Sequence, residues 1–440
     1  MEVKTFKGGA HIPHYKSFTE DKPIAKMSVP QEVVIPLQQH LGAPNVPLVK
    51  VGDQVEVGQK IGDSEEFISA PVHASVSGTV KAIEPRPYYE GGETLSVVIE
   101  TDFDRDQDFK LKEPRDPKKM SKEEVIKCIR EAGIVGMGGA AFPTHVNISQ
   151  RKAIDSLLLN GAECEPFLTC DHRQMLERPD DLIAGAEIMM NCIGAKTCYM
   201  GIEVNKPDAI EILSGKVKDR GDIKIVPLAV KYPQGNKAHL INAITGRNVP
   251  RGARSADLGC IVRNVGTTIA GYEAVVYDKP SYERVVTVTG PNLPRAGNYI
   301  VRIGTPISHV VKEAGVENLE DTKIVVGGPM TGMAQSNLEA PVVKSNTGVL
   351  ILPREMVRED VEYSDCVRCA KCVKQCPVFL YPNTISILAE RDRYEEVEKW
   401  DVMDCIECGI CAYVCPANRP IVKFIKNVKP AIKKLQRSRN

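Results

Sequence analysis

Cys366-Val-Arg-Cys369-Ala-Lys-Cys372-Val-Lys-Gln-Cys376-Pro377 is repeated in pattern by Cys405-Ile-Glu-Cys408-Gly-Ile-Cys411-Ala-Tyr-Val-Cys415-Pro416. Both segments read C-x2-C-x2-C-x3-C-P, in which three thiolates converge on one face of an iron–sulfur cubane and the fourth ligand comes from elsewhere. Structural zinc, the alternative, usually takes two pairs of ligands and not a triplet followed by Cys-Pro. The spacing therefore predicts two 4Fe-4S clusters and a C-terminal domain that transfers single electrons.

The two motifs resemble those of two-cluster ferredoxins, in which the fourth cysteine of each motif binds the other cluster. This resemblance assigns one cluster to Cys366, Cys369, Cys372 and Cys415. It assigns the other cluster to Cys405, Cys408, Cys411 and Cys376. A predicted helix, Asn383 to Lys399, separates the motifs. The six remaining cysteines have no ligand spacing, and most are predicted to be buried small hydrophobic side chains: Cys128, Cys164, Cys170, Cys192, Cys198 and Cys260.

The composition is that of an ordinary globular protein with several domains. The 440 residues include 57 Lys plus Arg, 57 Asp plus Glu and 14 Cys. The zero net charge and the 5% aromatic content give no support to nucleic-acid binding. The sequence shows neither a secretory signal nor an uninterrupted apolar stretch of membrane-spanning length, which predicts a cytosolic address. In a reducing compartment, so many cysteines favour cluster or metal ligation over disulfides.

The hydrophobic pattern predicts a multidomain α/β chain. Short β-like runs broken by Gly and Pro over 1–110 resemble the barrel-sandwich fold of biotinyl and lipoyl carriers, but the hairpin tip reads Glu65-Glu66-Phe67 and lacks the acceptor lysine. We therefore expect a structural domain there. Strands alternating with helices predict a largely parallel α/β domain over 120–281. We expect a small α+β unit over 282–355, a helical two-cluster ferredoxin-type domain over 360–422 and a basic tail over 423–440.

Within the α/β region the individual elements follow from periodicity. The predicted strands are Ser156 to Asn160, Thr197 to Val204 and Ile223 to Val230. The predicted helices are Asp180 to Cys192, Pro207 to Val217 and Lys237 to Thr245.

A glycine-rich loop, Gly136-Met137-Gly138-Gly139-Ala140-Ala141, follows a helix that a capping box opens at Ser121. The loop matches G-x-G-x-x-A, but the dinucleotide fingerprint needs a strand before the loop, so we reject a Rossmann assignment. Its clustered backbone N–H groups suit a phosphate or a flat ring. A turn that packs two elements closely is the alternative.

Three segments resemble, in the same order, motifs of the flavin-binding, NADH-oxidising subunit of respiratory complex I. They are Gly133 to Thr144, Asn160 to Pro166 and Arg263 to Thr268, and 282–352 resembles that family's ubiquitin-like SLBB domain. The resemblance implies an FMN site lined by Gly136, Gly138, Gly139, Asn160, Asn264 and Thr267. It also implies that two residues contact NADH, Phe142 by stacking on nicotinamide and Glu165. The chain differs from that family at three places. Asn147 stands where the family has a lysine after the glycine loop, and Ala162 stands where it has an aspartate. Gly235-Asn236-Lys237 stands in place of the family's GEE segment.

The order of segments along the whole chain resembles that of the C subunits of Rnf complexes, the ion-translocating ferredoxin:NAD oxidoreductases. It comprises Thr5 to Pro13, the carrier-like unit, the flavin module, Gly327 to Met333 and the two cluster motifs. That resemblance implies hydride exchange between NADH and FMN, and electron transfer through two 4Fe-4S clusters. It further implies peripheral attachment, on the cytoplasmic side of the cell membrane, to membrane subunits and their iron–sulfur subunit.

Two alternatives to this function remain open at this stage. A soluble cobalamin reductase of diol-degrading microcompartments shares the architecture. The departures at Asn147, Ala162 and Asn236 motivate the other alternative, a non-enzymatic iron–sulfur electron-transfer scaffold.

Overall fold

The structure is a computed structural model that describes residues 2–357 and 362–439. Its N-terminal domain packs two antiparallel sheets, in the strand orders β2-β8-β7-β4 and β3-β5-β6, around one apolar core. Val33 pairs with Ile99 and Ile35 with Val97, so alternate residues of β2 and β8 point inward. The strands are β2 Glu32–Pro36, β3 Val46–Pro47, β4 Gln54–Val55, β5 Lys60–Asp63, β6 Val72–His73, β7 Gly78–Pro87 and β8 Glu93–Thr101, and they follow β1 Ile24–Lys26.

An N-terminal strap, residues 4–26, runs across the other domains before the chain enters the first sheet. The Lys4 N–H donates to the Pro227 carbonyl, and the Gly9 N–H donates to the Gln375 carbonyl in the C-terminal domain. At the end of the strap, β1 pairs in parallel with β14 of the third domain. The strap thus joins three domains through backbone hydrogen bonds.

The central domain has a parallel four-stranded sheet in the order β11-β10-β9-β12, covered by helices. Its first helix begins with the predicted capping box: the Ser121 hydroxyl accepts from the Glu124 N–H, and the Glu124 carboxylate accepts from the Ser121 N–H. Each strand and helix predicted in this region is present, with ends within two residues of those predicted. The elements are α1 Lys122–Glu131, α2 Thr144–Ile148, β9 Ser156–Gly161, α3 Cys170–Glu177, α4 Pro179–Ile193, β10 Thr197–Glu203, α5 Pro207–Lys216, β11 Ile223–Leu228, α6 Lys237–Thr245, β12 Cys260–Asn264 and α7 Val265–Tyr277.

The third domain is a six-stranded mixed sheet in the order β1-β14-β13-β17-β15-β16 with one helix. Its core is aliphatic, with Val286, Val288, Val310 and Val349 fully buried. The elements are β13 Glu283–Thr289, β14 Gly297–Arg302, α8 Ile307–Glu313, β15 Thr322–Val326, β16 Met333–Ala334 and β17 Gly348–Pro353.

The C-terminal domain is helical, and it differs from the sequence prediction in two ways. The helix predicted from Asn383 to Lys399 is two helices, because the chain turns at Asp392, whose φ is 53°. Residues 423–439 of the predicted tail belong to a longer helix that packs on the domain. The predicted domain start at residue 360 lies outside the described residues. The helices are α9 Lys371–Lys374, α10 Pro382–Ala389, α11 Tyr394–Glu398, α12 Ile410–Tyr413 and α13 Ile421–Arg439.

The packing of α13 follows from its apolar spacing. Ile421, Ile425, Val428 and Ile432 recur at intervals of three or four residues and are buried in the core of the C-terminal domain. The basic residues lie on the rest of the helix surface. The basic residues of the predicted tail therefore form one face of a helix that is docked on the domain. Across residues 2–357 and 362–439, no helix is both long enough and apolar enough to cross a membrane.

Lys344 lies where three domains meet. Its ammonium group donates to the carbonyls of Pro71, in the first domain, and Gly133, in the central domain, at 2.8 and 2.7 Å. The side chain is fully buried, and burial lowers the pKa of Lys344 to about 7. Between pH 7 and 10, the folded chain therefore binds fewer protons at this site than the unfolded chain, and the contribution of Lys344 to stability rises with pH.

We expect Lys344→Met to remove this pH dependence. The free energy of unfolding of the wild type should gain about 2 kcal/mol relative to the variant between pH 7 and pH 9. Thermal unfolding midpoints at the two pH values measure the change. Lys50→Met, at an exposed position, is the control and should give no pH-dependent difference. If the difference in unfolding free energy between the wild type and Lys344→Met stayed constant with pH, the lowered pKa of Lys344 would be contradicted.

Candidate functional site

A cavity of about 560 Å³ opens at the carboxyl end of the parallel sheet, where β9 and β12 finish. Open α/β sheets bind their ligands at this edge. The cavity has walls from all four domains. Asn160 and Asn264 lie on the central domain, Gly327 on the third domain, Tyr89 on the N-terminal domain and Lys426 on α13.

The glycine loop forms one wall and is held in place from beneath. The Met137 N–H donates to the Thr267 hydroxyl at 2.9 Å, and Thr267 is fully buried. A Cβ on Gly138 would lie 2.9 Å from the Asn264 amide nitrogen, so only glycine allows this approach. A Cβ on Gly139 would meet no heavy atom within 4 Å, so the loop presents open backbone to the cavity.

Two asparagine amides stand side by side because Asn160 and Asn264 are register partners on adjacent strands. The Asn160 amide donates to the Gly235 carbonyl at 2.9 Å. The Asn264 amide donates to the Asp171 carboxylate at 2.6 Å, while its oxygen accepts from the Thr267 N–H and caps α7. Both side chains are therefore fixed where a polar ligand would meet them.

The loop 163–168 is organised around a buried cation that the strap delivers. The Lys16 ammonium donates to the carbonyls of Glu163, Glu165 and Leu168 at 2.8, 3.2 and 2.5 Å, and its side chain is 1% exposed. Glu163 and Phe167 both have positive φ, at 47° and 70°. These unfavourable conformations are held because three carbonyls converge on one ammonium group.

Glu165 lies in the cavity wall with its carboxylate already engaged. It accepts hydrogen bonds from the Met330 N–H, the Thr331 hydroxyl and the Tyr232 hydroxyl. Burial raises the pKa of Glu165, although these donors act in the opposite direction. The carboxylate thereby ties the central domain to the loop 328–331 of the third domain.

A second acidic group lies nearby, formed by Glu163, Cys170 and Asp171, whose ligand atoms are all within 4.8 Å of one another. Burial raises the pKa of Asp171 to about 7, and the neighbouring Glu163 adds to the shift. Asp171, in the wall of the cavity, can therefore hold a proton near neutral pH.

The structure brings five of the eight predicted flavin and nucleotide residues into the cavity wall, namely Gly138, Gly139, Asn160, Glu165 and Asn264. Gly136, Phe142 and Thr267 do not line it: Gly136 and Phe142 close the base of the glycine loop, and Thr267 supports it. At two of the divergent positions, Ala162 is fully buried and Asn236 caps α6.

Several wall residues were not found from the sequence. Cys164 and Cys170, expected to be plain buried side chains, both line the cavity, as do Tyr89, Glu90, Asp171 and Lys426. The one available signal for the two cysteines was their position, since Cys164 lies inside the Asn160 to Pro166 motif and Cys170 lies shortly after it.

The cluster-motif cysteines surround two smaller cavities. Cys366, Cys369, Cys372 and Cys415 line the first, which we call the distal cavity. Cys376, Cys405, Cys408 and Cys411 line the second, the proximal cavity. Each set combines three cysteines of one motif with the last cysteine of the other.

The spacing of the sulfur atoms fits a group larger than one ion. Four thiolates on a zinc ion lie about 3.8 Å apart, given a Zn–S distance of about 2.3 Å. In the described part of the chain, no three of the motif cysteines have sulfur atoms within 4.8 Å of one another. The donor sets therefore lack the close thiolate spacing of a zinc site, and the two C-x2-C-x2-C-x3-C-P motifs supply the ligand pattern of iron–sulfur cubanes.

The proximal cavity adjoins the large cavity through a shared apolar cluster. Cys408, Met330 and Cys164 all pack against the buried cluster of Tyr232 and Ile410. Cys164 also lines the large cavity, and Cys408 lines the proximal one. The ring nitrogen of His239 lies 3.0 Å from the Pro377 carbonyl, a further link between the two domains. The distal cavity is lined by residues of the C-terminal domain alone, and its Cys369 is exposed.

We expect Lys16→Met to disorganise the loop 163–168, because it leaves three buried carbonyls and the Glu163 carboxylate without their cation. The cost should be about 3 to 5 kcal/mol. Thermal unfolding and the flavin content of the purified chain measure the effect. Lys26→Met removes a lysine of the same strap whose side chain is 74% exposed, and it should change neither. A Lys16→Met variant with wild-type stability and flavin content would refute this role.

Three family models match this chain. They are the Nuo51 FMN-binding domain over residues 129–273, the RnfC barrel sandwich hybrid domain over 4–104 and a 4Fe-4S dicluster domain over 358–416. The predicted barrel-sandwich, flavin-binding and two-cluster domain types are thus confirmed.

Curated relatives match over nearly the full length. The chain is 44% identical to the C subunit of the proton-translocating ferredoxin:NAD(+) oxidoreductase complex of Clostridium ljungdahlii, over 97% of this chain and 94% of the relative. It is 41% identical to the C subunit of the Na(+)-translocating complex of Acetobacterium woodii, over 98% of each. Among solved structures, an NAD+-reducing NiFe-hydrogenase in the H2-reduced state has a TM-score of 0.52 at 17% identity, over 73% of this chain and 63% of that one, which supports the fold.

Proposed function

Because this chain belongs to the family of Rnf-type ferredoxin:NAD oxidoreductase C subunits, we propose that it is the NADH- and FMN-binding electron-transfer subunit of an ion-translocating complex. Electrons pass between NAD(H), FMN and two 4Fe-4S clusters. The observation that carries the proposal is the adjacency of the large cavity and the proximal cavity: Cys164 of the first and Cys408 of the second pack against the same apolar cluster.

The residues of the large cavity fit FMN. Gly138 and Gly139 offer open backbone, and the paired amides of Asn160 and Asn264 offer polar contacts at the sheet edge, where phosphates and flat rings bind. Bound FMN would exchange hydride with NADH and single electrons with the clusters. The chain's own part is to orient these groups and to exclude water, and no side chain has to act as the hydride donor.

The clusters are assigned to the crossed cysteine sets. Cys376, Cys405, Cys408 and Cys411 hold the proximal cluster, and Cys366, Cys369, Cys372 and Cys415 hold the distal cluster. The packing of Cys408 against the apolar cluster around Tyr232, which also receives Cys164 of the large cavity, supports the order FMN, proximal cluster, distal cluster. The exposure of Cys369 supports the distal cluster as the site of electron exchange with another subunit of the complex.

The proposal extends to the domain types, to the docking of the chain on its complex and to the roles of single residues at the site. Residues 282–355 form an SLBB-type ubiquitin-like domain, between a flavin domain over 120–281 and a ferredoxin-type domain that includes α13. The chain docks peripherally on membrane subunits of the complex, and on their iron–sulfur subunit, at the cytoplasmic side. Thr267 and Gly136 support the FMN site from beneath, and Glu165 and Phe142 belong to the NADH side of the site.

Anaerobic purification and a visible spectrum test the function. We expect about one FMN and about eight iron atoms per chain, and NADH should bleach the flavin band. Iron without FMN would contradict the proposal and favour an iron–sulfur scaffold. Efficient NADH-dependent reduction of cobalamin, with no binding to solubilised membrane partners, would favour the cobalamin-reductase alternative.

The crossed ligation predicts the effect of Cys376→Ser. Although Cys376 lies in the first motif, its loss should remove the proximal cluster and leave the distal one. The residual EPR spectrum after dithionite reduction should match that of Cys408→Ser and differ from that of Cys369→Ser. Cys128→Ser, outside both motifs, is the control. A Cys376→Ser spectrum that matches Cys369→Ser would refute the crossed assignment.

A further inference from the structure

The N-terminal domain reaches the large cavity through one hairpin. Its tip, residues 88–92, joins β7 to β8 and is closed by hydrogen bonds from the Tyr88 N–H to the Gly92 carbonyl and from the Gly91 N–H to the Tyr88 carbonyl. Gly91 and Gly92 both have positive φ, as such a turn requires. The tip docks on the third domain, since the Gln335 amide donates to the Tyr89 carbonyl at 2.8 Å.

A second cavity, of about 340 Å³, lies between this tip and residues 333–337 of the third domain. We call it the tip cavity. It shares Tyr89, Glu90 and Met333 with the wall of the large cavity, so the two spaces adjoin. A ligand longer than FMN alone could occupy both.

The chemistry of the tip cavity suits a nucleoside. The rings of Tyr88 and Tyr89, with centroids 4.9 Å apart, give it an aromatic side, and aromatic rings stack on any base. The Glu90 carboxylate accepts from the Tyr89 hydroxyl at 2.8 Å, and no ion pair engages it among the residues that the structure describes. Glu93 lies in the same wall and adds a second negative charge.

We infer that the tip cavity binds the adenosine half of NADH, with Glu90 accepting the ribose hydroxyls. This inference rests on the proposed function, which places FMN and nicotinamide in the large cavity. A carboxylate accepts from a ribose 2′-hydroxyl and repels a 2′-phosphate, so Glu90 and Glu93 select NADH over NADPH. The N-terminal domain, which lacks a carrier lysine, thereby has a role in dinucleotide recognition.

The test uses redox-inert probes on the full chain with its flavin and clusters. Calorimetric titration should show that the wild type binds ADP-ribose at least about tenfold more tightly than 2′-phospho-ADP-ribose. Glu90→Gln should weaken ADP-ribose binding by about tenfold, the effect of losing a charged hydrogen bond. It should also reduce the preference for ADP-ribose over 2′-phospho-ADP-ribose. In the wild type, reduced nicotinamide mononucleotide, which lacks the adenosine half, should still bleach the flavin.

Glu84→Gln is the matched control, because Glu84 is an exposed carboxylate on β7, the strand that leads into the tip, and lies outside both cavities. An unchanged ADP-ribose affinity in Glu90→Gln, or an equal loss in Glu84→Gln, overturns the inference and leaves the proposed function standing. A wild-type flavin that neither NADH nor reduced nicotinamide mononucleotide can bleach overturns the proposed function itself, and the inference with it.

Discussion

The buried ammonium group of Lys16 is the constraint on which the arrangement of the cofactor sites depends. A desolvated cation needs partners, and here three backbone carbonyls of the loop 163–168 supply them. The strap that carries Lys16 also bonds to Gln375 in the C-terminal domain and to β14 in the third. One side chain thus fixes the loop that bears Cys164 and Glu165, where the large cavity meets the proximal one.

The rest of the site follows from domains meeting around that loop. Glu165 binds the third domain through Met330 and Thr331, and Lys344 joins the third domain to the first two. A cavity between domains can hold several groups in sequence, because each domain contributes its own wall. In the proposed function, the dinucleotide, the flavin and the proximal cluster lie along one path, which ends at the distal cluster with its exposed Cys369.

Features with local causes could be predicted from the sequence. The alternation of strands and helices, the capping box at Ser121 and the cysteine spacing are all set by neighbours in the chain. Lys16 could not be predicted, because its partners lie about 150 residues away and leave no periodic pattern. The same is true of Tyr89 and Glu90, which reach the cavity only when the first and third domains pack. The charge of α13 suggested a separate tail, although its apolar spacing from Ile421 to Ile432 already indicated a docked helix. Phe142 does not line the cavity, so its contact with nicotinamide stays a prediction from motif resemblance.

In the proposed function, electrons from NADH reach the distal cluster only through the proximal cluster. The most direct measurement is the EPR signal of the distal cluster after NADH is added to Cys408→Ser, a variant without the proximal cluster. We expect the flavin to be bleached while the distal cluster stays oxidised, although dithionite still reduces it. Reduction of the distal cluster by NADH at the wild-type rate would contradict this claim.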